Sequence, residues 1–359
     1  MNSAMIQYRL FQLLFAPFSL LYGLGVFLRN ASYRAGLLKS VTFSIPVISV
    51  GNLSIGGSGK TPHIEYLIRL LREHIQVATL SRGYKRQSSG FMLAGPGSDA
   101  AAIGDEPMQF ARKFPDITVA VGESRALGIP QILSYRPRVQ TILLDDAFQH
   151  LAVKPGLNIM LSAYDRLFTR DYLLPSGRLR EWRSAYQRAD IVIVSKCPPT
   201  LAQKEKDELM REIKPFPGQR VFFSTYRYGT PYYLFNPLYQ APLQEDLDLV
   251  LLSGIAHPEY LVGWLQERVG AIIRIEYPDH HYFEAGEIYD LQYKFRDFQS
   301  RKKIILTTEK DAMRLHLHRE LIIKLELPIY VLPIEVDFLF GEGVVFDEAI
   351  KTFLLEFKV

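Results

Sequence analysis

The chain has 359 residues, 48% hydrophobic and 22% charged, which excludes a disordered chain and is long enough for two domains. Lys and Arg number 42 against 38 Asp and Glu, a net charge of +4, which suits an anionic ligand or an anionic membrane surface and is too weak to argue for nucleic acid. Cys197 is the single cysteine, so an intramolecular disulfide and any multi-cysteine metal site are excluded and a reducing, cytosolic setting fits.

A mean hydropathy of +0.01 excludes a polytopic membrane protein but hides one local segment. Leu10 to Leu28 carries no charge and is flanked by Arg9 and Arg29. As a helix it would rise about 28 Å, near the hydrocarbon thickness of a bilayer. A cleaved signal peptide fits worst, because no small-x-small site follows. A single span competes with a helix packed on the protein's own core and with an interfacial helix. Gln12, Pro17, Ser19, Gly23 and Gly25 interrupt the apolar run, and Arg9, Arg29, Arg34 and Lys39 flank it, so we favour an interfacial helix on the cytoplasmic membrane face.

Beyond it, short apolar runs alternate with helical stretches. Pro46 to Val50, Gln76 to Leu80, Ile117 to Val121, Thr141 to Leu144, Leu157 to Leu161 and Ile191 to Val194 read as strands, and Ile64 to Glu73 as a helix. Most of these strands are continuous apolar runs, as expected for strands buried on both faces of a parallel sheet. The order implies βαβ units and an α/β, doubly wound, mainly parallel sheet of the P-loop NTPase kind. Tyr and Pro become dense between Pro215 and Pro242, which reads as an extended, β-ribbon-like linker. A second series follows: strands at Leu249 to Leu252, Ala271 to Tyr277, Lys303 to Leu306 and Pro328 to Leu332, a helix after Pro258, and a closing helix from Phe346 to Phe357. The expected division is therefore a membrane-associating helix at 1–40, a nucleotide-binding α/β domain at 41–218, a linker at 219–245 and a smaller α/β domain at 246–359.

The strongest local signal follows the first strand: Gly51-Asn52-Leu53-Ser54-Ile55-Gly56-Gly57-Ser58-Gly59-Lys60-Thr61-Pro62. Glycines let backbone N–H groups converge on phosphate oxygens, and a helix N-terminus adds its dipole. Gly56, Gly57, Ser58 and Gly59 would cradle the phosphates of ATP, Lys60 would reach the β- and γ-phosphates, and Thr61 would place its hydroxyl on Mg²⁺. Ser54 stands where the motif usually has its first glycine. The strand Thr141 to Leu144 ends in Asp145-Asp146, where a carboxylate can hold Mg²⁺ directly or through water, or merely cap the next turn.

The order of these blocks resembles the tetraacyldisaccharide 4′-kinases, the lipid A 4′-kinases. Besides the phosphate loop, the resemblance rests on Ser81-Arg82-Gly83-Tyr84, Gly104-Asp105-Glu106-Pro107, Asp145 to His150, Leu174-Pro175-Ser176-Gly177 with Leu179-Arg180-Glu181, Asp279-His280-His281 and Thr308-Glu309-Lys310-Asp311. Ala147, Ser176 and Arg178 depart from the family's usual Gly, Ala and Pro, and none is a group expected to do chemistry. The resemblance implies ATP-dependent phosphorylation of the 4′-hydroxyl of a tetraacylated glucosamine disaccharide 1-phosphate, in a membrane-associated enzyme of two α/β domains with the active site in the cleft between them. A monomer with no nucleic-acid partner is expected.

It also points to Asp105 as the base for the sugar hydroxyl, with His280 orienting it or raising its basicity. Taken bare, Asp105 is an ordinary helix cap and His280 a loop histidine. Asp146, Gln149 and Arg180 are expected to support the nucleotide site, with Arg180 stabilising the transferring phosphoryl group or else pairing with Glu181. Glu106 joins Thr61 and Asp145 as a possible metal ligand. Arg82 and Arg125 are expected to bind the lipid's phosphate or sugar headgroup, or else to be solvated surface charges. Lys196 lacks the Asn before it and the Asp two residues after it that a guanine-reading lysine needs. The alternative activity is a non-kinase, membrane-attached phosphate-loop ATPase or GTPase.

Overall fold

The computed structural model describes residues 3–255 and 258–358. The chain divides into two compact units: residues 1–82, 116–226 and 336–359 form the first, and 83–115 with 227–335 the second. The expected contiguous division is thus replaced by an interleaved one. The excursion 83–115 joins the second unit because its helix Asp105–Lys113 is tied there, by Lys113 to Glu309 at 2.6 Å and by Arg112 to His316 at 3.0 Å. The last segment returns to the first unit, where Phe338 and Phe346 stack at 4.4 Å, Phe346 meets Phe222 edge-on, and Tyr66 donates to Asp347 at 2.8 Å.

The first unit is built on seven parallel strands: β1 (Val47–Asn52), β2 (Val77–Ser81), β3 (Thr118–Val121), β4 (Thr141–Asp145), β5 (Leu157–Ala163), β6 (Ile191–Ser195) and β7 (Arg220–Tyr228). Their spatial order is β7-β6-β5-β1-β4-β2-β3. Every residue of β1, β2, β4 and β6 is buried, as expected of strands covered by helices on both faces. The register Val50 to Asp145 brings the carboxyl ends of β1 and β4 side by side, where ligands bind in such sheets. Gly51 is required here: a Cβ would sit 2.8 Å from the backbone N of Phe148.

Helix α1 (Ser3–Arg34) carries the long apolar segment. One face is bonded to the first unit: Ser19 Oγ to Ser176 at 2.8 Å, Tyr22 Oη to the Arg180 carbonyl at 2.9 Å, Trp182 Nε1 to the Gly23 carbonyl at 2.9 Å, and Asn30 to Glu181 at 2.8 Å. The opposite face exposes Leu13, Leu14, Phe18, Leu20, Leu21, Leu24, Phe27 and Leu28. Length and apolarity alone would let the helix cross a membrane.

The second unit holds four parallel strands in the order Ile329–Leu332, Lys303–Thr308, Asp248–Ser253, Ile272–Glu276. The Tyr/Pro-rich stretch is not a free linker. Its first part is β7, and Tyr232–Tyr233 with Asn236–Gln240 makes an antiparallel hairpin on the edge of the second sheet. Tyrosines and prolines suit such an edge, since Pro cannot continue a ladder.

Candidate active site

The phosphate loop leaves the buried end of β1 and enters helix α2 (Lys60–Leu71). Gly59 caps that helix at φ +84°, and a Cβ there would collide with Tyr226 Oη, so glycine is demanded twice over. Two bonds hold the loop from behind. Ser195 Oγ, at the end of β6, donates to the Ser58 carbonyl at 2.8 Å, and His63 Nδ1 lies 2.7 Å from the Gly59 carbonyl. His63 Nε2 meets Ser224 Oγ at 3.0 Å. Since a carbonyl can only accept, Nδ1 carries the proton. Burial pushes the His63 pKa down to about 4 despite that backbone bond. Tying carbonyls rearward leaves loop N–H groups to face an anion. Ser58 is itself buried, and its Oγ has no hydrogen-bond partner.

Lys60 Nζ lies 3.4 Å from Asn52 Oδ1 and 3.7 Å from Asp146 Oδ1. Arg180 grips Asp146 with a two-pronged contact, at 2.8 and 3.2 Å, and also bonds Asn52 Oδ1. Burial alone would raise the Asp146 pKa, but Lys60 and Arg180 hold its carboxyl well below the usual carboxylate range. Asp146 turns out of the strand at φ +46°, a conformation Asp tolerates better than most residues. Gln149 Nε2 donates to the Asn52 carbonyl at 2.9 Å. Asn52 is thus the hub of the cluster, and the sequence reading missed it; its one signal was its place at the end of the loop's own strand. Arg180 does not pair with Glu181, which is buried and bonded to Arg188 at 2.9 Å.

Asp145 is buried at the end of β4. Thr61 follows Lys60 in the first turn of α2. One hydroxyl and one carboxylate fit Mg²⁺, which takes few protein oxygens and fills its shell with phosphate and water. Among the described residues no three His, Cys, Asp or Glu side chains converge on one point, so a metal cage made by protein alone is absent there. Arg125 is buried rather than solvated: it donates to the carbonyls of Gly122 at 3.1 Å and Asp145 at 2.9 Å, and so braces the end of β4 instead of presenting itself to a headgroup. Arg82 is exposed just past β2.

In the second unit, Asp105 opens the helix Asp105–Lys113 after Gly104 at φ +94°. His280, at φ +60°, sets Nδ1 2.9 Å from Asp105 Oδ2. Its Nε2 lies 2.9 Å from Lys310 Nζ, which in turn reaches Asp279 at 3.1 Å and Glu106 at 3.5 Å. An ammonium can only donate, so Nε2 accepts and Nδ1–H points at Asp105. Buried Arg314 donates to Asp105 Oδ2 at 2.8 Å and also pairs with Asp311. Burial raises the Asp105 pKa, yet the His280 bond and the charges of Lys310 and Arg314 outweigh it, and the carboxyl stays below its ordinary value. Glu106 therefore sits on the lysine of the Asp105 cluster. Lys310 and Arg314 escaped the sequence reading as chemical groups, although Lys310 falls within one of its motif blocks.

A protein-family model described as tetraacyldisaccharide-1-P 4′-kinase matches residues 11–354. A tetraacyldisaccharide 4′-kinase of Bacteroides fragilis is 44% identical over 347 residues, covering 95% of this chain and 92% of the relative. One from Flavobacterium psychrophilum is 46% identical over 301 residues, with coverage of 83% and 86%. Among solved structures, LpxK from Aquifex aeolicus in complex with ATP superposes with a TM-score of 0.71 at 27% identity, covering 96% of this chain and 99% of that one. The phosphate loop, the Asp146–Arg180 pair and the Asp105–His280 pair thus stand in a chain that belongs to the tetraacyldisaccharide-1-P 4′-kinase family.

Proposed function

We propose that the chain transfers the γ-phosphoryl group of ATP to the 4′-hydroxyl of a tetraacyldisaccharide 1-phosphate, with Mg²⁺, at the cytoplasmic face of the inner membrane. The observation that carries this is the pairing of two residue sets in one family member. A rearward-tied phosphate loop with Lys60 suits a nucleotide's phosphates, and a carboxylate–imidazole pair suits a hydroxyl proton. In the proposed division, Gly56 to Thr61 bind the phosphates, and Lys60 and Arg180 neutralise charge on the transferring group. Thr61 and Asp145 would hold Mg²⁺, which would supply neutralisation of the phosphate charge. Asp146 and Gln149 keep Lys60, Arg180 and Asn52 in register. Asp105 accepts the hydroxyl proton, and His280, fixed by Lys310, orients it. Arg82 is left as the group for the lipid headgroup. No second copy of the chain is required.

For the membrane, the support is α1: its inner face is bonded along the body from Ser19 to Asn30 while its outer face is leucine-rich. A helix attached along its length favours lying in the interface over spanning. The deciding experiment is transfer of radiolabelled phosphate from ATP to the tetraacyldisaccharide 1-phosphate in detergent micelles. Folded protein that labels no lipid refutes the proposal.

A further inference from the structure

We propose that Lys196 is a second phosphate-binding lysine of the nucleotide site, placing its ammonium against the phosphate chain beside Gly57. The proposal rests on ATP being the donor, and it adds a residue to that site.

Strand β6 ends at Ser195, whose hydroxyl is bonded to the Ser58 carbonyl at 2.8 Å, so this strand end and the phosphate loop are in direct contact. Lys196 comes next, at φ +58°. Its Nζ lies 3.7 Å from the point where a Cβ on Gly57 would stand. The same ammonium is 6.0 Å from the ring centre of Tyr226, and Tyr226 Oη in turn occupies the space beside Gly59. Lys196 and Tyr226 therefore form one rim of the loop, over two of the glycines whose backbone would approach phosphate oxygens.

The electrostatics point the same way. Loop N–H groups and the α2 N-terminus already present partial positive charge, and Lys60 adds a full one. The Lys196 ammonium, on the rim of the same loop, gains attraction when a polyphosphate carrying several negative charges enters. Lys196 is followed by Cys197-Pro198, with no carboxylate two residues on for a base edge. The phosphate chain is thus the better match for it than the nucleobase.

Lys196→Met and Lys196→Arg separate charge from fold, because both keep an unbranched side chain at the same backbone angle. Calorimetry would compare ATP, ADP, inorganic tripolyphosphate and adenosine, alongside the thermal midpoint without ligand. Lys196→Met is expected to weaken ATP, ADP and tripolyphosphate by about tenfold each, the size of one lost charge-assisted hydrogen bond. Adenosine binding and the thermal midpoint stay unchanged, and Lys196→Arg recovers most of the loss. Equal ATP affinity in wild type and Lys196→Met overturns the proposal. So does weakened ATP with intact tripolyphosphate binding, which would move the ammonium to the base or ribose. A wild-type protein that binds neither ATP nor ADP overturns the donor assignment, and this proposal with it.

Discussion

His63 offers a prediction whose size follows from its surroundings. The imidazole is buried between the Gly59 carbonyl and Ser224 Oγ, and burial lowers its pKa to about 4. In the unfolded chain the same group titrates near 6.5. Between those values the unfolded state binds the proton and the folded state does not. Stability contributed by neutral His63 is therefore complete above about pH 6.5 and is lost as pH falls toward 4. At 1.36 kcal/mol per pH unit the loss is about 2 kcal/mol by pH 5 and about 3 kcal/mol by pH 4. His150, lowered to about 4 in the same unit by burial and Arg125, adds a slope of its own, so the measurement must be a difference. Urea unfolding of wild type and His63→Asn would be followed through Trp182 of the first unit, with Trp264 replaced by Phe in both. Asn keeps a donor for the Gly59 carbonyl and removes the titration. The variant should lose about 2 kcal/mol less stability than wild type between about pH 7 and about pH 5. Parallel pH dependences in the two proteins would show that His63 is not held neutral by the fold.

Three further outcomes follow from the site. Asp105→Asn should lower kcat by about two to four orders of magnitude, the usual worth of a general base, with KM for ATP unchanged; steady-state kinetics check this, and unaltered kcat removes Asp105 from the proton-accepting role. Arg180→Met breaks the grip on Asp146 and Asn52. It should cost about two orders of magnitude in kcat, comparable to losing one preorganised donor, and a change confined to KM for the lipid would reassign Arg180. Replacing exposed Leu21 and Leu28 of α1 by Gln should weaken partition to anionic vesicles by more than about tenfold, since each buried leucine contributes about 1.5 kcal/mol or more. Sedimentation with vesicles as strong as wild type would place the attachment elsewhere.

The first unit's sheet was legible because buried parallel strands read as unbroken apolar runs, and Asp145-Asp146 announced itself at the end of one of them. The phosphate loop was legible because glycine spacing and Lys60-Thr61 are local. What failed depended on partners far along the chain. Nothing local says that 83–115 packs with the second unit; that is decided by pairs such as Asp105–His280 and Asp105–Arg314, separated by 175 and 209 residues. Local sequence leaves Arg125 open between a headgroup ligand and a solvated surface charge, because it does not show the two buried carbonyls that Arg125 satisfies. The Tyr/Pro-rich stretch read as a linker because composition cannot show that a sheet edge is waiting for it.

The division of labour between Asp145 and Asp146 also becomes physical. Adjacent carboxylates past a strand end cannot share one environment, because the backbone turns between them: Asp145 still belongs to β4, and Asp146 has left it at φ +46°. The turn gives Asp146 to Lys60 and Arg180 and leaves Asp145 buried at the strand end. The same cluster reaches α1. Tyr22 bonds the Arg180 carbonyl at 2.9 Å, Arg29 bonds the Gln149 carbonyl at 2.7 Å, and the side chains of Arg180 and Gln149 both end on Asn52. The inner face of the apolar helix and the charge cluster at Lys60 are therefore one hydrogen-bonded scaffold. A substitution on that inner face, such as Tyr22→Phe, would be felt at Arg180 without altering the leucine-rich outer face. The proposed membrane attachment and the nucleotide-site geometry can thus be perturbed separately, although they share a helix.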